Sequence, residues 1–487
     1  MPRNIAQLPP DVIITICAYL GPRDLLSFIQ TCRGIHALGS TDYVWHHIKS
    51  DLPLDIEGKL LDLSGSEIKS SVIRALRLDE NWNSRVSKVT RISKIHPRTP
   101  VTEMQTLGRN WLVTSSRARG SSNTINISVW RLDTITPNDK LIGSAPACVI
   151  SFEPVRAFSF ETALCRGKHI ALISALGSSA TVPNGLWTIY TLNLKGRRSI
   201  DNKPYLEKEL LIEHSGLLYY SQISGSIVAA AVAQVGLASW KHQILLLNTD
   251  TNVYLKIDSP EINKFDCGRM QFKIYPPYII IVGSIKDKIK LQVRKLPMAI
   301  FSTIPIPPDF DEHTMPLAKW DSSIVDYETV AIRNLEMSIS SEPFYTPFGL
   351  KSFRIMVNHS PLSPMENGRV DIFQFPIDTS QQNLEFTGWK PLHSFPTPPN
   401  STLEPICIGT SGSRAVWLAH QWNNDEYHLV KGSFGEDGSY LVTDLQPPEL
   451  PLPFEARDCK ALYLEETRGR LFVGVHSTAE VFILEFS

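Results

Sequence analysis

Asp309, Asp311 and Glu312, with His313 beside them, form the densest set of potential cation ligands in this chain. Three carboxylates and an imidazole could hold a hard divalent ion, but they lack the regular ligand spacing of a calcium loop, so the run reads as a solvated loop. His46 and His47 are adjacent at the end of a helical stretch, and neighbours on a helix point apart, which makes them poor joint ligands. His169 falls in an apolar strand and reads as a hydrogen-bonded interior residue. Arg117 and Arg119 sit in a polar, Ser-rich loop where solvation accounts for them. The ten tryptophans, among them Trp111, Trp130, Trp187 and Trp417, fall mostly on strand-like stretches, where packing explains them better than a ligand cage does. The phosphate loop G-x-x-x-x-G-K-[ST], the dinucleotide G-x-G-x-x-G after a strand, H-E-x-x-H and G-x-S-x-G are all missing from the sequence. Residues able to do bond chemistry are present, but not in spacings that would do it. The reading is therefore of a protein that is not an enzyme and that carries no metal or cofactor.

Composition narrows the class further. The 487 residues balance 48 Lys plus Arg against 49 Asp plus Glu, so no basic excess argues for a nucleic acid or an anionic membrane as partner. Seven cysteines (Cys17, Cys32, Cys148, Cys165, Cys267, Cys407 and Cys459) are scattered, odd in number and without C-x-x-C. They fit free, mostly buried thiols in a reducing compartment. Pro9, Pro10 and Asp11 interrupt any leader-like apolar segment, and no apolar run approaches the roughly 20 residues that span a bilayer. Sequons at Asn126, Asn358 and Asn400 have no secretory route to serve. A soluble protein of the cytoplasm, the nucleus or both is expected.

The elements that must position any functional surface divide into two kinds. Residues 8–48 read as a Pro-punctuated pair of helices followed by a third. Pro10 suits a first helical turn; Ile13, Ile16, Cys17 and Leu20 then share a face. Gly21-Pro22 stops that helix, Asp24 can cap the next, and Leu25, Phe28, Ile29 and Cys32 again share a face. Asp42 can start the third, which carries Val44, Trp45 and Ile48. After a connector over 51–63, Ser64-Gly65-Ser66-Glu67 has capping-box spacing, and Ile68, Val72, Ile73 and Leu76 extend a helix to about Leu78. Such a small helical unit has more apolar residues than it can hide, which suggests that it binds something.

Beyond Trp82 the pattern turns to strands. A compact apolar strand recurs at 111–113, 169–173, 227–230, 278–282, 353–357, 415–418 and 471–474, at spacings of about 60 residues. Each is followed by a second strand, at 127–130, 186–190, 244–247, 289–293, 370–373, 427–430 and 481–484. The first of each pair is nearly continuously apolar, as when neighbouring sheets cover both faces. The second alternates more and is expected nearer the rim. Seven pairs point to a seven-bladed β-propeller. A gap of about 75 residues between the fourth and fifth copies, with a Pro-rich stretch at 303–350, leaves six or eight blades open. Because a closed propeller ties its ends together, residues 86–95 are expected to pair in the last blade.

The helical unit resembles the F-box over about residues 5–48. The resemblance rests on Leu8-Pro9, Asp11-Val12-Ile13, Ile16, Leu20, Pro22-Arg23-Asp24-Leu25-Leu26, Cys32-Arg33 and Trp45; the Trp that many F-boxes place soon after the Cys-Arg pair is replaced by Gly34-Ile35-His36. It implies docking onto the Skp-type adaptor of a cullin-based ubiquitin ligase, with Leu8, Pro9, Ile13, Ile16, Leu20, Pro22, Leu25 and Leu26 filling a groove on the adaptor. The expected fold is thus α+β multidomain: a small all-α F-box at 5–50, a connector with a helix at 51–85, and an all-β propeller at 86–487. The expected function is substrate recognition for an SCF-type ligase, with cullin reached through the adaptor and an unidentified protein target held by the propeller. The alternatives are an adaptor-bound scaffold outside a full ligase and a propeller enzyme with an accessory helical unit.

Overall fold

The structure is a computed structural model that describes residues 5, 8–48, 52–56, 60–120, 124–133, 145–152, 155–165, 169–179, 184–195, 204–235, 240–258, 270–285, 288–301, 323–328, 332–340, 344–345, 351–361, 363, 365–377, 391–445 and 451–486. The acidic run at 309–313 lies outside them. Four short helices come first: α1 (Pro10–Cys17), α2 (Pro22–Ile29), α3 (Arg33–Gly39) and α4 (Asp42–His46). Pro10 and Pro22 each open a helix, where the missing N–H is no loss, and Asp11 and Asp24 complement the first-turn dipole. Asp24 therefore lies inside α2 and does not cap it; Gly21 holds the cap position. α3 was not foreseen, because Gly34 and Gly39 weaken its helical signal. Gly39 is needed there: a Cβ would come within 2.3 Å of Ile29 Cγ1.

The fifth helix, α5 (Gly65–Trp82), starts in the expected capping box. The Glu67 N–H donates to Ser64 Oγ at 3.3 Å, and the Ser64 N–H donates to the Glu67 carboxylate at 2.8 Å. The helix runs four residues past the expected end, to Trp82, because its last turn is packed and not solvated. Ile68 and Val72 join Ile13, Cys17, Leu25, Ile29, Val44 and Trp45 in one core. Leu78 and Trp82, further along, belong to a different core. α5 is thus a wall shared by both parts of the molecule.

Among the described residues the remaining strands form seven antiparallel sheets. Written from the inner strand outwards, blade 1 is Val101–Leu107, Trp111–Arg117, Ile125–Arg131 and Cys148–Phe152. Blade 2 is Val155–Cys165, Ile170–Ser179, Asn184–Asn193 and Tyr205–Ser215; blade 3 is Leu217–Ser224, Ile227–Val235, Trp240–Asn248 and Val253–Asp258. Blade 4 is Gln271–Tyr275, Tyr278–Ile285, Lys288–Lys295 and Ser323–Glu328; blade 5 is Ile332–Ile339, Lys351–Pro361, Gly368–Pro376 and His393–Thr397, with Phe344–Tyr345 paired beside it. Blade 6 is Ser401–Ile408, Arg414–Gln421, Glu426–Phe434 and Tyr440–Asp444. Blade 7 is Cys459–Glu465, Arg470–Val475, Glu480–Glu485 and, from ahead of blade 1, Arg91–Ile95. In that last pairing Arg91 stands opposite Glu485 and Ile95 opposite Val481, which is the expected closure. Each inner strand lies against the inner strands of both neighbouring blades, so the ring is complete.

Seven apolar clusters fill the seven interfaces between consecutive blades. In the second strand of blade 3, Val228, Ala230 and Val232 pack towards blade 2, whereas Ala229 and Ala231 pack towards blade 4. That period-2 division is why the strand is apolar throughout. The third strands are no less enclosed: Ile244, Leu245, Leu246 and Leu247 are at most 2% exposed. The expectation that they lie near the rim is corrected. The two repeating strands are the middle pair of four, and the rim belongs to outer strands such as Tyr205–Ser215, whose residues are mostly exposed. Residues 303–350 contain no extra blade among the described residues; Ser323–Glu328 closes blade 4 and Ile332–Ile339 opens blade 5.

Candidate interaction surfaces

The fold has two parts whose surfaces matter for a site: the helical unit and the propeller. On the helical unit, the core of Ile13, Leu25, Trp45 and their neighbours decides which side chains are left over. Ile13 is 2% exposed and Leu25 0%, and Pro22 is buried with them. These three, expected to enter an adaptor groove, lie inside the unit. Leu8, Ile16, Leu20 and Leu26 are half-buried and Pro9 is exposed. Val12 and Tyr19 reach 42% and 81% exposure. Val12, Ile16 and Tyr19 follow i, i+4, i+7 spacing, a second apolar stripe beside the one that ends in the core. That stripe was readable in the sequence, but periodicity does not say which of two apolar stripes meets solvent.

The unit is fixed to one face of the propeller, the face carrying the turns between inner and second strands. Asp55 of the connector is the central joint. Its carboxylate accepts from Arg468 Nε and Nη2 at 3.1 and 3.0 Å and from Arg74 Nη1 at 3.0 Å, and it lies 3.5 Å from Arg109 Nε. Arg468 and Arg109 are in the inner turns of blades 7 and 1. Beside them Gly469, at φ +60°, leaves room for Leu78 of α5; a Cβ would lie 2.3 Å from its Cδ1. At the end of α5, Trp82 is wholly buried between blades 6 and 7 and its indole donates to the Gly432 carbonyl at 3.1 Å. Lys431 Nζ donates to the carbonyls of Trp82 and Ser84 and to Ser87 Oγ, finishing the helix with a buried cation. Burial pushes that ammonium down to about 8. Sequence reading gave no sign of this joint, since its partners lie hundreds of residues apart.

The inner strands surround a cavity of about 1040 Å³, with Leu54, Asp55 and Ile56 at one mouth. Its lining mixes apolar side chains with polar and charged ones. Glu161 accepts from Gln105 at 2.9 Å and from Gln222 at 3.3 Å, and Glu103 accepts from the Phe160 N–H at 3.0 Å. Burial raises the Glu103 carboxyl to about 7 against the opposing Phe160 hydrogen bond, with nearby Glu161 adding to the rise. Burial likewise raises Glu465 to about 7 despite Arg468 and Arg470. The Lys273 ammonium is lowered by burial, partly offset by Glu161.

The other residues singled out by type have structural places. His46 Nε2 donates to the Leu63 carbonyl at 2.7 Å and His47 Nδ1 to the Tyr43 carbonyl at 2.8 Å, so the pair points apart. His169 lies in a turn one residue before its strand. Arg117 and Arg119 are exposed. Trp130 and Trp187 donate to Thr114 Oγ1 and Ser174 Oγ, each at 2.8 Å, and Trp417 packs between blades 5 and 6. The described cysteines Cys17, Cys32, Cys148, Cys407 and Cys459 are unpaired thiols. Among the described residues no group of three or more His, Cys, Asp or Glu is placed to hold a metal ion, and no helix is long and apolar enough to cross a membrane.

Among solved structures the chain is similar to the β-propeller domain of Myceliophteria thermophila Cps50 (Swd1), with 13% identity and a TM-score of 0.44 over 81% of this chain and 100% of that one. It is also similar to a chain in a crystal structure of the Mitotic Checkpoint Complex, with 9% identity and a TM-score of 0.42 over 82% and 91% of the two chains. Residues 5–50 match the F-box-like family model, so the chain carries an F-box-like domain ahead of a seven-bladed β-propeller.

Proposed function

We propose that this protein is the substrate-recognition subunit of a cullin-based, SCF-type ubiquitin ligase, working in the cytoplasm, the nucleus or both. F-box domains generally bind Skp-type adaptors, and an F-box joined to a propeller is an architecture typical of non-enzymatic adaptor proteins. The observation that carries the reading is the joint at Asp55 and Trp82. It bolts an F-box-like domain to one face of a propeller whose opposite face none of the described helices joins. A rigid subunit of that form performs no bond chemistry; it raises the effective concentration of a target near a ubiquitin-charged enzyme.

Leu8, Pro9, Ile16, Leu20 and Leu26, joined by Val12 and Tyr19, are the side chains that would meet the adaptor; Ile13, Pro22 and Leu25 hold them in place from beneath. The test is affinity purification of the wild type and of a Leu8→Ala, Leu26→Ala variant, with the adaptor and cullin as readouts. Wild type should retain both and the variant neither. Adaptor without cullin would mark a scaffold outside the ligase, and neither protein with the wild type would end the proposal.

A further inference from the structure

The propeller face opposite the helices carries the turns between second and third strands and the links between blades. On blade 6, Trp422, His420 and Tyr427 form a stack: His420 lies parallel to Tyr427 at 4.0 Å and 50° to Trp422 at 4.3 Å between ring centroids. Trp422 remains 62% exposed, so one indole face is held rigidly outwards. Asp425 fixes the middle ring, its carboxylate 2.9 Å from His420 Nε2, and is itself 82% exposed. Beside the stack runs a groove of about 720 Å³ whose lining includes Asp425, Tyr427, Leu452, Phe454 and Glu455. Asn400 donates to Asn423 at 3.0 Å and lies 3.8 Å from the sulfur of Met365, 77% exposed, which extends the apolar surface to blade 5.

The charge around this surface is predominantly negative, although Arg457 lies 2.7 Å from Glu455 and His428 lies 3.6 Å from both Glu426 and Asp444. Asp425, Glu426, Asp444 and Glu455 are 57–82% exposed, and Arg457 is the one described cation among the groove's lining residues. An exposed indole face attracts ammonium and guanidinium groups, and neighbouring carboxylates complement them and repel anions. We infer that the groove and ring stack of blade 6 take a basic, extended segment of the recruited protein, seating a Lys or Arg side chain against Trp422 beside Asp425. This deepens the ligase reading and rests on it for the identity of the segment as part of a target. Strands of about eight residues separate this face from the helices by about 25 Å, so adaptor and target need not compete.

The test uses the full-length protein and fluorescein-labelled nonapeptide pools with Arg, Lys or Glu fixed at the centre and the other positions mixed, read by anisotropy. Arg and Lys pools should bind and the Glu pool should not, with affinity falling as salt rises. Trp422→Ala, and separately Asp425→Asn with Asp444→Asn, should each weaken binding about tenfold with an unchanged melting temperature. Asn is chosen because it tolerates the left-handed φ of 54° at position 425. Equal binding of the Glu pool, wild-type binding by both variants, or no binding by any pool overturns the inference. Adaptor co-purification is followed in parallel. Its loss with basic-pool binding intact sinks the ligase reading alone, and its retention with basic-pool binding lost sinks the groove alone.

Discussion

The indole N–H of Trp82 donates to the carbonyl of Gly432, 3.1 Å away in space and 350 residues away in sequence. Trp82 ends the helix that supports the F-box-like domain, and Gly432 lies in the third strand of blade 6. Trp82→Ala should therefore lower stability by about 3–5 kcal/mol, the usual cost of emptying so large a buried site. Trp82→Phe should cost less, because it keeps most of the volume and loses the hydrogen bond. Denaturant unfolding measures the difference, and limited proteolysis near residues 83–90 should cut the Ala variant first.

The Asp55–Arg468 pair is nearly enclosed, with side chains 8% and 9% exposed. Its coupling should exceed that of a surface pair, at more than about 1 kcal/mol in a double-mutant cycle of Asp55→Asn with Arg468→Met. Additive effects would mean that the connector only rests on the propeller.

Glu103 gives a pH signature. Its folded pKa of about 7 is raised above the ordinary carboxylate value, burial being the main cause. The folded state then binds the extra proton, so the stability contribution is full below the unfolded value and is lost as pH rises through about 7. Glu103→Gln keeps an acceptor for the Phe160 N–H and cannot ionise. Its stability relative to wild type should rise between about pH 4.5 and 7 and stay level above that, as thermal melts across pH would record.

Leu25 and Leu26 separate folding from docking. Leu25 is wholly buried in the helical core, so Leu25→Ala should destabilise by about 2–5 kcal/mol. Leu26 is half-buried, so Leu26→Ala should change stability by less than about 1 kcal/mol while weakening adaptor capture. Melting temperature and co-purification, measured on both variants, decide the assignment.

The middle strands of every blade were legible because two covered faces demand unbroken apolar runs such as Ile279–Val282. The inner strands were not, because Gln105, Glu161, Gln222 and Lys273 line the central cavity and break the pattern. The closing strand was foreseen from ring geometry, since Arg91–Ile95 has little signal of its own. For the residues proposed to dock, spacing identified helical faces but could not rank them. Ile13 and Leu25 are interior because they share a core with Ile68 and Val72 of α5, a contact that no local pattern encodes.

The fourth strand of blade 7 is made before blade 1 and its partner, Glu480–Glu485, after blade 6. During translation, Arg91–Ile95 must wait through the synthesis of six blades with its hydrogen-bonding edge unmatched, and α5 must wait for Gly432 and Arg468. The helical end thus reaches its final seating only after blades 6 and 7 have emerged from the ribosome. A nascent chain truncated by a late stop codon would expose both a sticky strand edge and an unseated tryptophan, the features that chaperones and quality-control proteases engage.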